Sequence, residues 1–226
     1  MKSFMQKNFH SFNARTLHLA SRGYVQALKK NSKILVSIGG AMSTAKLGIS
    51  LSEMIRRDKI HAISTTGANL EEDLFNLIAA DSYLQIPDYR KLSSADEVFL
   101  RDQGYSRVTD TCIPEKDAII TLEIALLEIW KAADKAKTCK FPHEYFYEIF
   151  ERGILDHLFQ GREVDSWVYA AWKKKIPIFV PGWEDSTMGN IFVGYLMKET
   201  ISNRNIIRSG IDLSLIHISE PTRRTP

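Results

Sequence analysis

The sequence contains few cysteines. Only Cys112 and Cys139 occur among its 226 residues, and two thiols cannot form the disulfide framework of a small secreted domain. Neither cysteine belongs to a spacing that is typical of a metal site, so the sequence predicts no bound metal. We therefore expect reduced thiols and a cytoplasmic protein.

Long apolar runs and a strong net charge are also missing. The most apolar segment, "DAIITLEIALLEIW", is interrupted by Glu123 and Glu128, and the opening "MKSFMQKNFHSF" lacks the apolar core of a signal peptide. The net charge is only +3, and no basic stripe with regularly placed aromatic residues stands out. We expect neither a membrane nor a nucleic acid as a partner.

Three short apolar segments are the clearest features that are present. They are "KILVSIGG", "KIHAISTTGAN" and "IPIFVPG", and each runs into small or polar residues. Helical patterns separate them, which is typical of parallel strands joined by crossover helices. The sequence therefore predicts one α/β domain over residues 1–212, with a parallel sheet and flanking helices.

Helical periodicity fills most of the remaining chain. We predict one helix that follows Asn13, one that begins at a cap formed by Ser43 or Thr44, and one that begins at a capping box of Asn69 and Glu72. Further helices are predicted over Ile119 to Ala133 and in the segments "FPHEYFYEIFERGIL" and "DSWVYAAWKKK". The segment 86–115 is polar, and we predict an irregular cover over one face of the sheet.

Each predicted strand is followed by a turn that is rich in small and polar residues. The turns are "GGAMST", "TTGANLEED" and "PGWEDSTMGN". Any one of them could simply make a turn or a helix cap, but ligands of open parallel sheets bind where the strands end. Gly39 and Gly40 would let the backbone approach a phosphate closely. The dinucleotide fingerprint is absent, so the pattern alone does not identify a nicotinamide cofactor.

Acidic residues occur in two of these turns. Glu71, Glu72 and Asp73 cannot all face one ligand, because neighbouring helical residues diverge by about 100°. We expect at least one of them to stabilise a helix and one or two to bind a cation. Glu184 and Asp185 would need a cationic or hydroxyl-rich partner at the end of the third strand.

Two aromatic side chains have simpler interpretations. We predict a structural or surface role for His143 rather than that of a catalytic base, because no His-containing triad or metal pair stands out. Trp183 is most simply a packed aromatic residue, although an indole beside a carboxylate also suits an amine.

Long motifs then carry a family resemblance. The stretches "SIGGAMSTAKLGISLSEMIRRDKIHAISTTGANLEEDLFNL", "YSRVTDTCIPE", "FPHEYFYEI" and "PIFVPGWEDSTMGN" resemble the deoxyhypusine synthase family, above all its bacterial deoxyhypusine synthase-like branch. The likeness extends over residues 8–212. It implies a Rossmann-like parallel sheet with helices on both faces, NAD as the cofactor and a homotetramer with active sites at subunit interfaces.

The resemblance also implies a reaction. An aminobutyl group of spermidine or a related polyamine is first oxidised by hydride transfer to NAD. It then passes through an imine with an enzyme lysine to an acceptor amine, where the hydride returns and reduces it again. In bacteria we expect a small diamine as acceptor and homospermidine as product. The alternatives are a true deoxyhypusine synthase, which modifies a lysine of a translation initiation factor, and a non-catalytic protein that binds NAD or polyamine.

Site residues are carried over by position. The cofactor-binding set implied by the resemblance is Gly40, Ala41, Met42, Ser43, Thr44, Thr66, Gly67, Ala68, Glu72 and Asp185. The substrate-binding set is Glu71, Glu72 and Asn190. The family's Thr-Ala-Gly becomes Thr-Gly-Ala here, and Asn190 replaces a polyamine-binding aspartate of the eukaryotic enzymes. An amide lacks the charge that holds an ammonium group, so this position bears on substrate choice.

No catalytic residue is assigned within this chain. The family's nucleophilic lysine lies in a motif of the form "SGA-P-E---WGK", which does not occur in this sequence. Lys173, Lys174 and Lys175 are better interpreted as a solvated helix end. The final stretch, residues 213–226, resembles vector or adapter read-through, so we expect a truncated polypeptide that is itself inactive.

Overall fold

The structure is a computed structural model that describes residues 2–208, with side chains from residue 4 onward. The predicted read-through segment, residues 213–226, lies outside the described residues. Helices occupy most of the chain, and two small sheets lie among them. The nine α-helices that fall within the described range are α1 Lys2–Asn8, α2 Phe12–Lys29, α3 Gly48–Arg56, α4 Gly67–Ala79, α5 Ser94–Asp102, α6 Thr121–Ala136, α7 Pro142–Arg152, α8 Trp167–Lys174 and α9 Thr187–Met197.

The predicted parallel sheet is present. Its strands are β1 Leu35–Ile38, β2 Ala62–Thr65 and β6 Ile178–Phe179, arranged in the order β1-β2-β6 with every pair parallel. Leu35 pairs with Ala62 and Ile63 pairs with Ile178, so the three carboxyl ends share one edge. The sheet is flanked by helices, which confirms the predicted α/β class with a Rossmann-like parallel sheet.

The core joins the sheet to its helices. Ile38, Ile63 and Ile178 supply one buried side chain from each strand. Trp130 of α6, Trp167 of α8 and several aromatic residues of α7 are fully buried around them. These large side chains remove much apolar surface from water, which is the main stabilising term of such a domain.

The segment 86–115 is not irregular, which corrects the sequence prediction. It contains α5 and most of a second, antiparallel sheet of strands β3 Leu84–Gln85, β4 Tyr105–Val108 and β5 Thr111–Pro114, in the order β3-β5-β4. Thr109 and Asp110 form the tight connection between β4 and β5, with Thr109 at a positive φ of 55°. The short strands carry many polar residues, which concealed their alternation.

Two predicted helix starts are also wrong. Helix α3 begins at Gly48 rather than after Ser43 or Thr44, because the buried hydroxyl of Ser43 bonds to the Asn69 carbonyl and to the Trp167 indole instead of capping a helix. Helix α4 begins at Gly67, and its N-cap is Thr66, whose hydroxyl accepts from the Asn69 N–H group. Glu71, Glu72 and Asp73 therefore lie in the second turn of α4.

Helix α2 stands apart from the core. None of its residues is buried, and Phe12 is 94% exposed. The first acidic residue of the sequence is Glu53, so α1 and α2 carry only basic charges. The small net charge thus conceals a basic amino-terminal segment. Among residues 2–208, no helix has the length and apolar character needed to cross a membrane.

Candidate functional site

The turns that follow β1 and β2 lie side by side. The Thr66 hydroxyl donates to the carbonyl of Gly40 at 3.1 Å, and the N–H of Ser43 donates to Oδ1 of Asn69 at 2.9 Å. Gly40 has a φ of +65°, the left-handed conformation that favours glycine. These bonds fix the first predicted cofactor turn against the start of α4.

The turn that follows β6 packs against the same helix. A Cβ atom at Gly67 would lie 2.6 Å from Cβ of Ser186, so only glycine allows this approach. Glu71, one turn further along α4, accepts hydrogen bonds from the N–H groups of Thr187 and Met188 at 2.9 and 2.8 Å. The parallel sheet thus brings the three predicted turns together at its carboxyl edge.

A cavity of about 350 Å³ opens between these elements and the antiparallel sheet. Its lining contains five residues of the predicted site, namely Ala68, Glu71, Glu72, Asp185 and Asn190. The other lining residues are Phe75, Ser106, Val108, Ile113, Ile119, Ser186 and Thr187. Two carboxylates from α4 and one from the turn after β6 therefore share a cleft that contains no Lys or Arg.

The remaining predicted residues do not line this cavity. Gly40, Ala41, Met42, Ser43, Thr44, Thr66 and Gly67 are absent from its wall. Ser43 and Thr44 are buried, with 3% and 8% of their surface exposed, whereas Met42 is exposed. Among residues 2–208, the backbone N–H groups of Gly40, Ala41 and Met42 donate to no backbone acceptor.

The three consecutive acids have three different environments. Glu71 bonds to the start of α9, and Oε2 of Glu72 accepts from the N–H of Thr44 at 3.1 Å. Asp73 points elsewhere and accepts from the hydroxyl of Ser166 at 2.5 Å and from the N–H groups of Trp167 and Val168, where it stabilises the start of α8. The expected divergence along the helix is confirmed.

Burial controls the ionisation of these acids. Desolvation raises the pKa of Glu71 to about 7, although the hydrogen bonds from Met188 and Thr187 oppose it. Desolvation likewise raises the pKa of Asp73 to about 6 and raises the pKa of Glu72. A cation in the cavity would favour the ionised forms of Glu71 and Glu72.

The antiparallel sheet supplies a wall of the cavity that sequence reasoning missed. Ser106 and Val108 of β4 and Ile113 of β5 line it, together with Ile119 from the π-helical segment that leads into α6. The alternation in "YSRVTDTCIP" was the available signal, since a two-residue connection between short alternating segments is typical of a hairpin. This wall makes one side of the cleft apolar.

His143 and Trp183 pack in the protein interior. The His143 ring stacks on Phe141 and meets Tyr147 edge-on, and burial lowers its pKa to about 4. This agrees with the predicted structural role. Trp183 is 3% exposed and packs against Trp130 and Phe192, so it behaves as the packed aromatic residue that the sequence predicted.

Comparison with known proteins agrees with this architecture. The family model for deoxyhypusine synthase matches residues 3–214. The chain is 28% identical over 196 residues to a deoxyhypusine synthase-like protein of Elusimicrobium minutum, covering 85% of this chain and 49% of that protein. It is 25% identical over 185 residues to a deoxyhypusine synthase-like protein of Chlorobaculum parvum, covering 79% of this chain and 48% of that protein.

A solved structure has the same fold. The crystal structure of a candidate deoxyhypusine synthase from Entamoeba histolytica superposes with a TM-score of 0.52 at 17% identity, covering 83% of this chain and 52% of that chain. The present chain therefore spans about half the length of the relatives it matches.

Fold and site together define an α/β protein with an acidic cleft at the carboxyl edge of its parallel sheet. With the family match over residues 3–214, the chain belongs to the deoxyhypusine synthase family, a family of transferases.

Proposed function

We propose that the full-length protein is a cytoplasmic, homotetrameric enzyme that transfers an aminobutyl group from a polyamine, spermidine or putrescine, to a small diamine and so forms homospermidine. The observation that carries this proposal is the cavity that combines Glu72, Asp185 and Asn190 with an apolar wall and without a basic side chain. In this proposal residues 1–212 form one domain of that enzyme.

The chemistry of the cavity suits a polyamine. Spermidine alternates ammonium groups with methylene chains, and carboxylates recognise the former through charge-assisted hydrogen bonds. Glu72 and Asp185 provide these carboxylates from opposite elements, α4 and the turn after β6. The side chains of Phe75, Val108 and Ile113 offer apolar contact to the methylenes. A phosphate-bearing substrate would instead call for Lys or Arg in the lining.

NAD is the proposed cofactor, and residues of the predicted site suit its phosphate groups and its ribose hydroxyls. The N–H groups of Gly40, Ala41 and Met42 donate to no backbone acceptor within residues 2–208, and they lie beside the positive φ of Gly40, a combination that suits phosphate oxygens. Glu72 and Asp185 belong to the cofactor-binding set that the resemblance implies, and the carboxylate oxygen of each that an ammonium group leaves free could accept from a ribose hydroxyl. When bound, NAD would supply reversible hydride acceptance, which makes the carbon beside an amine reactive.

Residues of this chain would bind and orient the substrates. Glu72 and Asp185 would hold ammonium groups, and the apolar wall would keep water from the reacting carbon. The nucleophilic lysine of the family belongs to a motif that is absent from this sequence, so we propose no lysine of residues 1–226 for that role.

The identity of the acceptor amine is tested by product analysis. Full-length protein is incubated with NAD, spermidine and putrescine, and the products are separated by mass. We expect homospermidine and 1,3-diaminopropane in equal amounts and an enzyme adduct that borohydride traps. Modification of a translation-factor lysine without homospermidine would instead identify a true deoxyhypusine synthase.

A second function is favoured by one observation, the absence of the lysine motif from the sequence. A polypeptide limited to these residues would bind NAD or polyamine without turning it over. Binding of spermidine by this chain with no product after prolonged incubation is the result that this alternative predicts.

A further inference from the structure

We infer that Glu71 is a positioning residue and does not itself bind the ammonium group of the substrate. It ties the start of α9 to α4 and thereby holds Asp185 and Asn190 across the cavity from Glu72. The inference rests on the proposed function for the identity of the ligand. It reassigns one residue of the substrate-binding set implied by the family resemblance.

Both carboxylate oxygens of Glu71 already have partners. Oε1 accepts from the N–H of Thr187 at 2.9 Å, and Oε2 accepts from the N–H of Met188 at 2.8 Å. Only 2% of the residue is exposed, although it contributes to the cavity wall. Drawing the carboxylate toward a ligand would leave two N–H groups at the helix start without partners, which costs more than an ordinary exchange of hydrogen bonds.

The start of α9 depends on this carboxylate. The first N–H groups of any helix lack partners within the helix and carry partial positive charge. Ser186 caps α9 through the N–H of Gly189 at 3.1 Å, but it does not reach the N–H groups of Thr187 and Met188. Glu71 supplies both missing acceptors. Asp185, in the turn before α9, and Asn190, in the first turns of α9, are therefore anchored by a residue on another helix.

Glu72 differs from its neighbour in this respect. Among the described residues its hydrogen-bonding neighbour is Thr44, whose N–H donates to Oε2 at 3.1 Å. No other described residue holds its carboxylate group, so Glu72 remains available to a ligand. Of the two adjacent glutamates, Glu71 maintains the distance between the two sides of the cavity and Glu72 contacts what binds between them.

Two substitutions separate positioning from direct contact. Glu71→Gln retains one acceptor but turns an amide donor toward the second N–H group. Thr187→Pro removes that N–H group, and proline is well tolerated at the first position of a helix. Ser186, the preceding residue, has φ −127° and ψ 168°, an extended conformation that a following proline permits. In the double variant, Glu71→Gln with Thr187→Pro, the glutamine needs to accept a hydrogen bond only from the N–H of Met188.

The experiment measures amide hydrogen exchange over residues 186–192 and spermidine affinity by calorimetry, both in the full-length protein. We expect Glu71→Gln to accelerate hydrogen exchange in this segment about fivefold, which is the effect of one lost hydrogen bond. It should also lower the affinity for spermidine about tenfold by displacing Asp185 and Asn190. The double variant should bind spermidine within about twofold of Thr187→Pro alone. Glu72→Gln, the matched control, should lower the affinity for spermidine without accelerating hydrogen exchange in this segment.

Three results would overturn the inference or its basis. Weak binding that persists in the double variant, with unchanged exchange in Glu71→Gln, would show that Glu71 contacts the ammonium directly. Unchanged exchange in Glu71→Gln is sufficient to reject the anchoring role even if the proline variant fails to fold. Absence of spermidine binding by the wild-type protein would refute the proposed function, and the exchange data would still decide whether Glu71 anchors α9.

Discussion

The contact between Gly67 and Ser186 offers a direct test of how tightly the turns after β2 and β6 pack. In Gly67→Ala the new Cβ would meet Cβ of Ser186 at 2.6 Å, its Oγ at 2.7 Å and Cδ1 of Trp183 at 3.2 Å. The Cβ of Ser186 is attached directly to the backbone, so it cannot rotate away. The turn after β6 would have to move away from α4.

The expected magnitude follows from two opposing effects. Overpacking of this kind costs about 1–3 kcal/mol, whereas alanine gains up to about 1 kcal/mol over glycine in a helix. We expect a net loss of about 1–2 kcal/mol in the free energy of unfolding, or about 2–8 °C in Tm for a chain of this size. Gly194→Ala is the matched control, because nothing lies within 4 Å of its added Cβ, and it should stabilise α9 by up to about 1 kcal/mol.

A double-mutant cycle completes this test. Ser186→Gly removes the opposing Cβ and costs only a few tenths of a kcal/mol as a helix cap. Combined with Gly67→Ala, it should recover about 1–2 kcal/mol relative to the sum of the single changes. The assay is urea unfolding followed by tryptophan fluorescence. Equal stabilisation by Gly67→Ala and Gly194→Ala, with no coupling to Ser186→Gly, would refute the close packing.

Three further predictions concern the acids of α4 and the cavity residue Asn190. The folded state raises the pKa of Glu71 to about 7 and of Asp73 to about 6, so it retains protons that the unfolded chain releases. The lowered pKa of buried His143, about 4, acts in the opposite direction below about pH 6.5 but offsets only one of these two carboxyl groups. Stability should therefore fall as pH rises from 5 to 7; urea midpoints that rise over this range would contradict it. Asp73→Ala leaves the buried donors at the start of α8 without an acceptor and should cost about 2–4 kcal/mol, whereas Asp81→Ala, an exposed control, should cost less than about 0.5 kcal/mol in the same denaturation assay. Asn190→Asp adds a carboxylate to the cavity and should shift the full-length enzyme toward the eukaryotic type of reaction; unchanged donor and acceptor preference in a competition assay would disprove a role for this residue in substrate choice.

The parallel sheet and its ligand edge could be predicted from the sequence because their causes are local. Each strand is a short apolar run of residues such as Val36 and Ile63, and each ends in residues that suit a turn. Parallel strands bring these turns to one edge regardless of the details between them. The acids that follow two of these strands could therefore be expected at one edge, and the family resemblance singled out Asp185 and Glu72 among them.

The helix starts could not be predicted because tertiary contacts outweigh local capping preferences. Ser43 is a favourable N-cap residue, yet its hydroxyl bonds to Asn69 and Trp167 in the interior. The partners of Glu71 lie 116 and 117 residues further along the chain, so no local pattern could reveal its anchoring role. The antiparallel sheet was missed because its strands are short and partly polar.

Spermidine affinity, measured by calorimetry on the full-length protein, tests the central claim that this cavity is the polyamine site. Glu72→Gln and Asp185→Asn each remove one carboxylate from the cavity, and each should weaken binding about 10- to 100-fold, the effect of losing one charge-assisted hydrogen bond. Glu184→Gln is the matched control, because this exposed neighbour of Asp185 carries the same charge but does not line the cavity, and it should change affinity less than about twofold. Equal affinities for all three variants and the wild type would place the polyamine elsewhere and contradict the account.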